Sequence, residues 1–333
     1  MRHALAASQP KIVDAVKELA PRGNAIDLVV ASVFAAAALS PSTLLGPVQL
    51  LVGGGGVGFR AIDGRTHQPG SGIPRPRGFL PEDVIPEAAY VGVPALPSAL
   101  AAAHALSGEL SFARVVAPGI ALAKGESEPR RELLQRIARR GAVALGEGNF
   151  AEDLVNVAGR IGGGLLTQED LASVRPLESE CHIETKAVRS ILRAPWFVGH
   201  AAQDAEGTSA SGETHVVAAV DGRGRVAIAC YIVSDTGLEL PAWNLLAPRT
   251  AAPVRRGEPR TRPGEPRGAA SPIALLAEGG VLGGAIGFAG LHGEDVLTPA
   301  MASFLSGLPI ETIAPEGSRP TGVLRTPTSA RVL

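Results

Sequence analysis

A polar segment of small residues leads directly into a predicted hairpin near the middle of the chain, and this junction constrains the fold more than any other feature. The hairpin begins at Thr214, runs through five hydrophobic residues after His215, turns at Asp221-Gly222 and returns over residues 226–233. An Asp-Gly turn between two apolar runs is a strong local signal for a β-hairpin. Residues 205–212 are mostly Gly, Ser, Ala and Thr, which indicates a flexible linker.

A threonine that opens a strand after a linker has a specific chemical use. If the bond between Glu213 and Thr214 were cut, Thr214 would carry a free α-amine beside its own hydroxyl, and that amine can act as the general base for the hydroxyl. The alternative is an ordinary strand residue, because Thr is common in strands. Thr214 is therefore the candidate nucleophile, and the Glu213–Thr214 bond is the candidate site of self-cleavage.

The composition limits the classes of function. The 333 residues carry a formal net charge of −1, which indicates neither a nucleic-acid partner nor a membrane surface. Aromatic residues make up only 4%, so Ala, Val, Leu and Ile must fill the core. Cys181 and Cys230 are the only cysteines, and two idle buried thiols are a better interpretation than a metal site or a disulfide framework. We expect no cofactor and no metal.

The first residues predict no secretory signal. They lack a long apolar run and lead straight into an amphipathic helix over residues 10–20. The apolar segment at residues 26–39 is too short to span a bilayer and contains Asp27. A cytoplasmic protein is the default expectation.

Helical and strand patterns alternate in blocks along the chain. Helices come first, followed by a strand pair around the Gly53–Gly56 turn, more helices, and then strands again. Two helix starts carry capping signals, Asn24 before the second helix and Thr167 with Asp170 three residues later. This pattern predicts a layered α+β sandwich formed by a single domain over residues 1–333.

Six segments occur in the same order as motifs of the γ-glutamyltranspeptidase family, which the chain resembles over nearly its whole length. The most specific match is Gly163 to Leu171, which resembles the family's GGLLTxEDL. Gly212-Glu213-Thr214 with Val220-Asp221 resembles the GDT…VVD form of the family's nucleophile strand. The other four segments are residues 22–27, 61–65, 91–94 and 117–123.

The resemblance implies an N-terminal-nucleophile (Ntn) hydrolase, a four-layer αββα sandwich that cuts itself before the catalytic threonine. Without a gap in the alignment, Thr214 falls on that threonine. A slip of one residue would turn each side chain to the opposite face of the sheet. Residues 1–213 would then form a large segment and residues 214–333 a small one, each the other's partner.

The resemblance also implies roles for residues outside the hairpin. Arg65 lies where the family binds a substrate carboxylate, and a guanidinium offers a bidentate fork to such a group. Gly290 and Leu291 lie where the family's backbone N–H groups form the oxyanion hole, which needs no particular side chain. Asp63 and Asp235 are interpreted as turn residues rather than as catalytic acids.

The chain differs from the family at the positions where the family binds the α-amine of a glutamyl substrate. Ala251 and Ala252 stand in place of acidic residues, and Ala269 and Ala270 in place of a pair of serines. An α-ammonium bound there would lose water without gaining a counter-charge. We therefore expect the substrate to be a small carboxylate-bearing amide rather than a γ-glutamyl compound.

Two functions from different classes remain open. The first is an Ntn amidohydrolase or acyltransferase, processed between Glu213 and Thr214. The second is an unprocessed, non-catalytic homologue with a binding or structural role, which the lost substrate contacts favour. The sequence leaves open the substrate, the choice between hydrolysis and acyl transfer, and whether the chain forms a homo-oligomer.

Overall fold

Helices and strands form alternating blocks in the computed structural model, which describes residues 3–74, 78–197, 212–267, 272–290, 293–308, 319–325 and 329–333. The helices are α1 Pro10–Val16, α2 Ala25–Leu39, α3 Leu96–Ser107, α4 Phe112–Glu126, α5 Glu128–Arg140, α6 Gly148–Ala158, α7 Gln168–Ser173 and α8 Gly293–Leu305. The strands up to the linker are β1 Ala4–Ala7, β2 Val48–Gly53, β3 Phe59–Gly64, β4 Thr66–His67, β5 Leu177–Glu180, β6 His182–Lys186 and β7 Arg189–Arg193. The later strands are β8 Glu213–Val220, β9 Val226–Val233, β10 Gly237–Leu240, β11 Leu245–Pro248, β12 Pro266–Arg267, β13 Ile273–Glu278, β14 Val281–Ala289, β15 Arg319–Arg325 and β16 Ala330–Val332.

Two six-stranded antiparallel sheets carry the architecture. The first sheet has the order β1-β8-β9-β2-β3-β5, and the second has the order β16-β15-β14-β13-β7-β6. Strands from both sides of the Glu213–Thr214 bond occur in each sheet, since β9 pairs with β2 in the first and β13 pairs with β7 in the second. The predicted hairpins are present, and residues Gly54, Gly55 and Gly56 take positive φ angles in the β2–β3 turn.

Three hydrophobic cores separate four layers. One core lies between α2 with its neighbouring helices and one face of the first sheet. A second core lies between the two sheets and includes Leu51, Val216 and Leu275. The third lies between the second sheet and α8, around Leu297. Helix, sheet, sheet and helix layers follow in that order, so the predicted α+β sandwich of the αββα type is confirmed.

The buried helix α2 begins at the capping residue that the sequence indicates. The Asn24 side chain accepts from the backbone N–H groups of Ile26 and Asp27, and the Asp27 carboxylate accepts from the Asn24 N–H at 2.9 Å. Asp27 is fully buried and also accepts from the N–H of Glu109 at 3.1 Å, while His104 Nε2 lies 3.4 Å from it. Burial alone would raise the pKa of Asp27, but the His104 contact and the backbone N–H donors outweigh it and lower the pKa.

We expect Asp27→Asn to lower the free energy of unfolding by about 1–3 kcal/mol at neutral pH, because a buried charged acceptor is lost. Since folding lowers the pKa of Asp27, its contribution is fully present above roughly pH 4 and disappears as pH falls through the folded-state pKa. Urea unfolding at several pH values should therefore show the difference between wild type and variant shrinking in acid. A difference that stays constant down to pH 3 would contradict the assigned role.

Three parts of the fold differ from the sequence predictions. The N-terminus does not lead straight into a helix, because Ala4–Ala7 forms the edge strand β1 and pairs with β8. Strands β15 and β16 extend the second sheet and have no counterpart in the predicted pattern. Asp63 is not a turn residue but a buried member of β3, while Asp235 does lie in a bend. Within the described residues, no helix is long and apolar enough to cross a membrane.

Candidate active site

Thr214 lies near the start of β8, on the face of the first sheet that looks towards the second sheet. It pairs with Ile232 of β9. Side chains alternate along a strand, and Val216, Ala218 and Val220 all belong to the core between the sheets. Thr214 therefore points to the same face as these residues, at the half-buried end of the strand. The structure thus gives the candidate nucleophile a position between the two sheets.

Gly290 joins the second sheet to Thr214 through the backbone. The Thr214 N–H donates to the Gly290 carbonyl oxygen at 3.3 Å, and the Gly290 N–H donates to the Thr214 carbonyl oxygen at 2.9 Å. The φ angle of Gly290 is +123°, which side-chain-bearing residues rarely adopt. In the uncut chain the Gly290 N–H is thus already engaged, so a role in the oxyanion hole requires this bond to open or be shared. Leu291, the other predicted donor, lies outside the described residues.

Glu213 supplies the carbonyl side of the candidate scissile bond, and its side chain is held in place. Arg319 Nη2 donates to Glu213 Oε1 at 2.8 Å, and His215 Nε2 lies 3.9 Å from Glu213 Oε2. Strand alternation places the side chains of Glu213 and His215 on the opposite face of β8 from Thr214. Arg319 thus joins the start of β15 to the residue that precedes the candidate nucleophile.

His215 faces away from Thr214, as strand alternation predicts. It is 6% exposed and stacks on Tyr231 with ring centroids 5.7 Å apart. Burial lowers the pKa of His215, and the Glu213 carboxylate opposes this only in part. Its Nδ1 is 3.1 Å from Ser8 Oγ, which also accepts from the Val216 N–H. His215 therefore joins β1 to β8 and does not contact the candidate nucleophile's face.

Arg65 forms an ion pair with the buried residue two positions before it. Its Nε and Nη2 donate to the Asp63 carboxylate at 2.7–3.0 Å, and its backbone N–H donates to Asp63 Oδ1. The Arg65 side chain is 19% exposed and that of Asp63 is 1% exposed. If the pairings of β8 with β9, of β9 with β2 and of β2 with β3 are each continued by one residue, Arg65 lies in the same row across the sheet as Thr214. The backbones of these two residues are then three strand spacings, or roughly 14 Å, apart. One edge of the guanidinium is therefore occupied before any substrate binds.

A small cavity adjoins Thr214. Its volume is about 10 Å³, room for about one water molecule. The lining residues come from β2, from β8 and β9, and from the residue before β2: Pro47, Val48, Gln49, Thr214, Cys230, Tyr231 and Ile232. The buried polar residue Gln49 and the buried core residue Cys230 are two lining residues that the sequence analysis did not place at the site. The uncut chain thus leaves only a small space beside the candidate nucleophile.

A larger cavity of about 440 Å³ lies elsewhere, between α3 and α7. It shares no lining residue with the cavity at Thr214. Its charged residues are already engaged, since Glu147 pairs with Arg140 and the Arg175 guanidinium donates to two backbone carbonyl oxygens. Size alone does not make it the reactive site, because nothing there combines a nucleophile with a base. Among the described residues, no group of three or more His, Cys, Asp or Glu side chains could hold a metal ion.

Comparison with solved structures supports the Ntn-hydrolase fold. The cephalosporin acylase from Bacillus halodurans superposes with a TM-score of 0.73 at 16% identity, over 100% of this chain and 95% of that one. The structure of LmbA2991HD gives 0.72 at 14% identity, over 99% and 96%. A γ-glutamyltranspeptidase from Pseudomonas nitroreducens complexed with L-DON matches 57% of this chain with a TM-score of 0.48, which supports no conclusion here.

The chain therefore has the Ntn-hydrolase fold, as the resemblance implied. It aligns with the cephalosporin acylase from end to end, despite low identity. No family model matches the sequence, and no curated protein matches it significantly.

Proposed function

We propose that this chain is a self-processing Ntn amidohydrolase or acyltransferase that acts on a small carboxylate-bearing amide. The observation that carries the proposal is the position of Thr214, which is the second residue of β8, lies on the inter-sheet face of an αββα sandwich and is bridged to Gly290. The fold shared with a protein described as a cephalosporin acylase favours the cleavage of an amide bond.

The proposed chemistry uses the chain's own groups. After cleavage, Thr214 Oγ attacks the substrate carbonyl carbon, and the free α-amine of Thr214 accepts the hydroxyl proton. The Gly290 carbonyl, which now accepts from the Thr214 N–H, is positioned to orient that amine. The proton then passes to the leaving amine as the C–N bond breaks. Water or an acceptor amine finally releases the acyl group from the ester on Thr214.

The two described residues at the positions where the resembling family holds a substrate amine support a substrate without an α-amine. Ala251 is fully buried, and the backbone of Ala252 is bonded in both directions to the Gln68 side chain. Neither residue offers an anion to an ammonium group. Ala269 and Ala270 lie outside the described residues.

A direct comparison of two chromogenic amides tests the proposal. Glutaryl-p-nitroanilide differs from γ-glutamyl-p-nitroanilide only in lacking the α-amine. We expect kcat/KM to favour the glutaryl compound by about tenfold or more, because a desolvated ammonium without a partner is costly. Release of p-nitroaniline is the measurement, with Thr214→Ala as the inactive control. Efficient hydrolysis of the γ-glutamyl compound would refute the specificity.

The second candidate is an unprocessed, non-catalytic homologue with a binding role. Three observations favour it: the engaged Gly290 N–H, the fork of Arg65 occupied by Asp63, and the small volume beside Thr214. A preparation that contains only the full-length chain and hydrolyses neither amide would select this candidate.

A further inference from the structure

Gln49 has an unusual environment for a buried polar side chain. It lies in β2, is 3% exposed, and its Nε2 has no hydrogen-bond partner within the described part of the chain. A buried amide N–H without an acceptor destabilises the folded state, so such groups are rare unless a ligand or water completes them. No other feature of β2 requires a polar residue, since its neighbours Val48, Leu50 and Leu51 are apolar core residues.

The strand register places Gln49 on the same face as Thr214. Leu51 belongs to the core between the sheets, and Gln49 is two residues before it on the same strand. Gln49 is directly opposite Cys230, another residue of that core, and directly opposite residues share a face. Thr214 lies on that face too, and both Thr214 and Gln49 line the small cavity.

Gln49 also lies between the nucleophile and the Asp63–Arg65 pair. Across the sheet, Cys230 on β9 is opposite Gln49, which in turn is opposite Asp63 on β3. The Asp63 carboxylate accepts from Arg65 through both of its oxygens. Gln49 Nε2 does not donate to that carboxylate and has no acceptor among the described residues, so its N–H groups are available to a bound water or to a ligand at the cavity.

We propose that Gln49 is a specificity-determining residue whose Nε2 donates a hydrogen bond to a carboxylate oxygen in the acyl part of the substrate. The inference rests on the proposed function for the class of ligand. An acyl chain joined to Thr214 and extending towards Arg65 passes beside Gln49, which lies in the next row of the same face, two residues or roughly 7 Å along β2 from the row of Thr214. A neutral amide donor suits a carboxylate here, because it adds a charge-assisted hydrogen bond without introducing a second buried charge beside Asp63.

Glutarate binding to the full chain tests the inference by calorimetry. Gln49→Met keeps a similar volume and removes the N–H donor, so we expect the Kd for glutarate to rise about ten- to a hundredfold. The thermal midpoint should stay the same or increase, because an unpaired buried donor disappears. Gln49→Glu should weaken glutarate binding further, because it sets an anion against the carboxylate.

Thr43→Val is the matched control. Thr43 is also fully buried with an unpartnered side-chain oxygen, but it does not line the cavity at Thr214. This variant should retain the wild-type Kd for glutarate. An unchanged Kd in Gln49→Met, or a wild-type chain that binds no glutarate, would overturn the inference. Glutarate contains no scissile amide, so its binding is measured independently of turnover, and failure of the proposed catalysis is recognised separately.

Discussion

Purified protein should consist of two polypeptides of 213 and 120 residues, because we expect the 333-residue chain to cut itself between Glu213 and Thr214. Intact mass spectrometry of a freshly purified and a long-incubated sample measures this directly. Thr214→Ala should leave a single full-length chain and abolish amide hydrolysis, since it removes the attacking oxygen in both reactions. Thr214→Ser, which keeps a hydroxyl, should still be cut.

The two pieces should remain together under native conditions. The first sheet places β8 and β9 from the small segment between β1 and β2 from the large one. The second sheet joins β13 to β7 across the same division. A native gel-filtration run should therefore show one species of unchanged size after cutting. If only full-length protein is present after long incubation, the maturation step is wrong and the non-catalytic candidate is favoured.

Arg65→Ala should lower the free energy of unfolding by about 3–5 kcal/mol, because it leaves the Asp63 carboxylate buried without its counter-ion. Chemical denaturation measures this loss. The double variant Asp63→Asn with Arg65→Ala should recover most of it, because no buried charge remains unpaired. An Arg65→Ala chain as stable as wild type would show that the ion pair is not structural.

The same variants test the proposed carboxylate anchor. If Arg65 also binds substrate, the double variant should hydrolyse glutaryl-p-nitroanilide with a KM raised about tenfold or more, whereas Asp63→Asn alone should retain a low KM. Self-cleavage should persist in each variant that folds, because it requires no bound substrate. An unchanged KM in the double variant would assign Arg65 to stability alone.

Local signals predicted much of the fold. Asn24 with Asp27 and Thr167 with Asp170 form the capping boxes that start α2 and α7, because both partners lie within three residues. The run of glycines at Gly53–Gly56 predicted the β2–β3 hairpin, because a turn signal is also contained in a few adjacent residues. The alternation of β8 correctly separated Thr214 from His215.

Features that depend on contacts between residues far apart in the sequence could not be predicted from it. The Ala-rich strand β1 has no strong β signal of its own and forms only because β8, more than 200 residues later, offers an edge. The sequence also did not predict the Asp63–Arg65 ion pair or the unpartnered amide of Gln49. Both depend on how deeply Asp63 and Gln49 are buried, and burial cannot be read from the neighbouring residues in the sequence. The resemblance supplied the proposed role of Thr214, and the cross-strand register of the structure showed which residues lie beside it.

The pairing of β1 with β8 and of Thr214 with Gly290 has a consequence for synthesis on the ribosome. The first strand emerges about 210 residues before its partner, and the bridge to Thr214 forms only after residue 290 has emerged. Contacts of such long sequence separation form late. If the proposed self-cleavage depends on this geometry, it follows the synthesis of residue 290, so the nascent large segment is not released before most of the small segment exists.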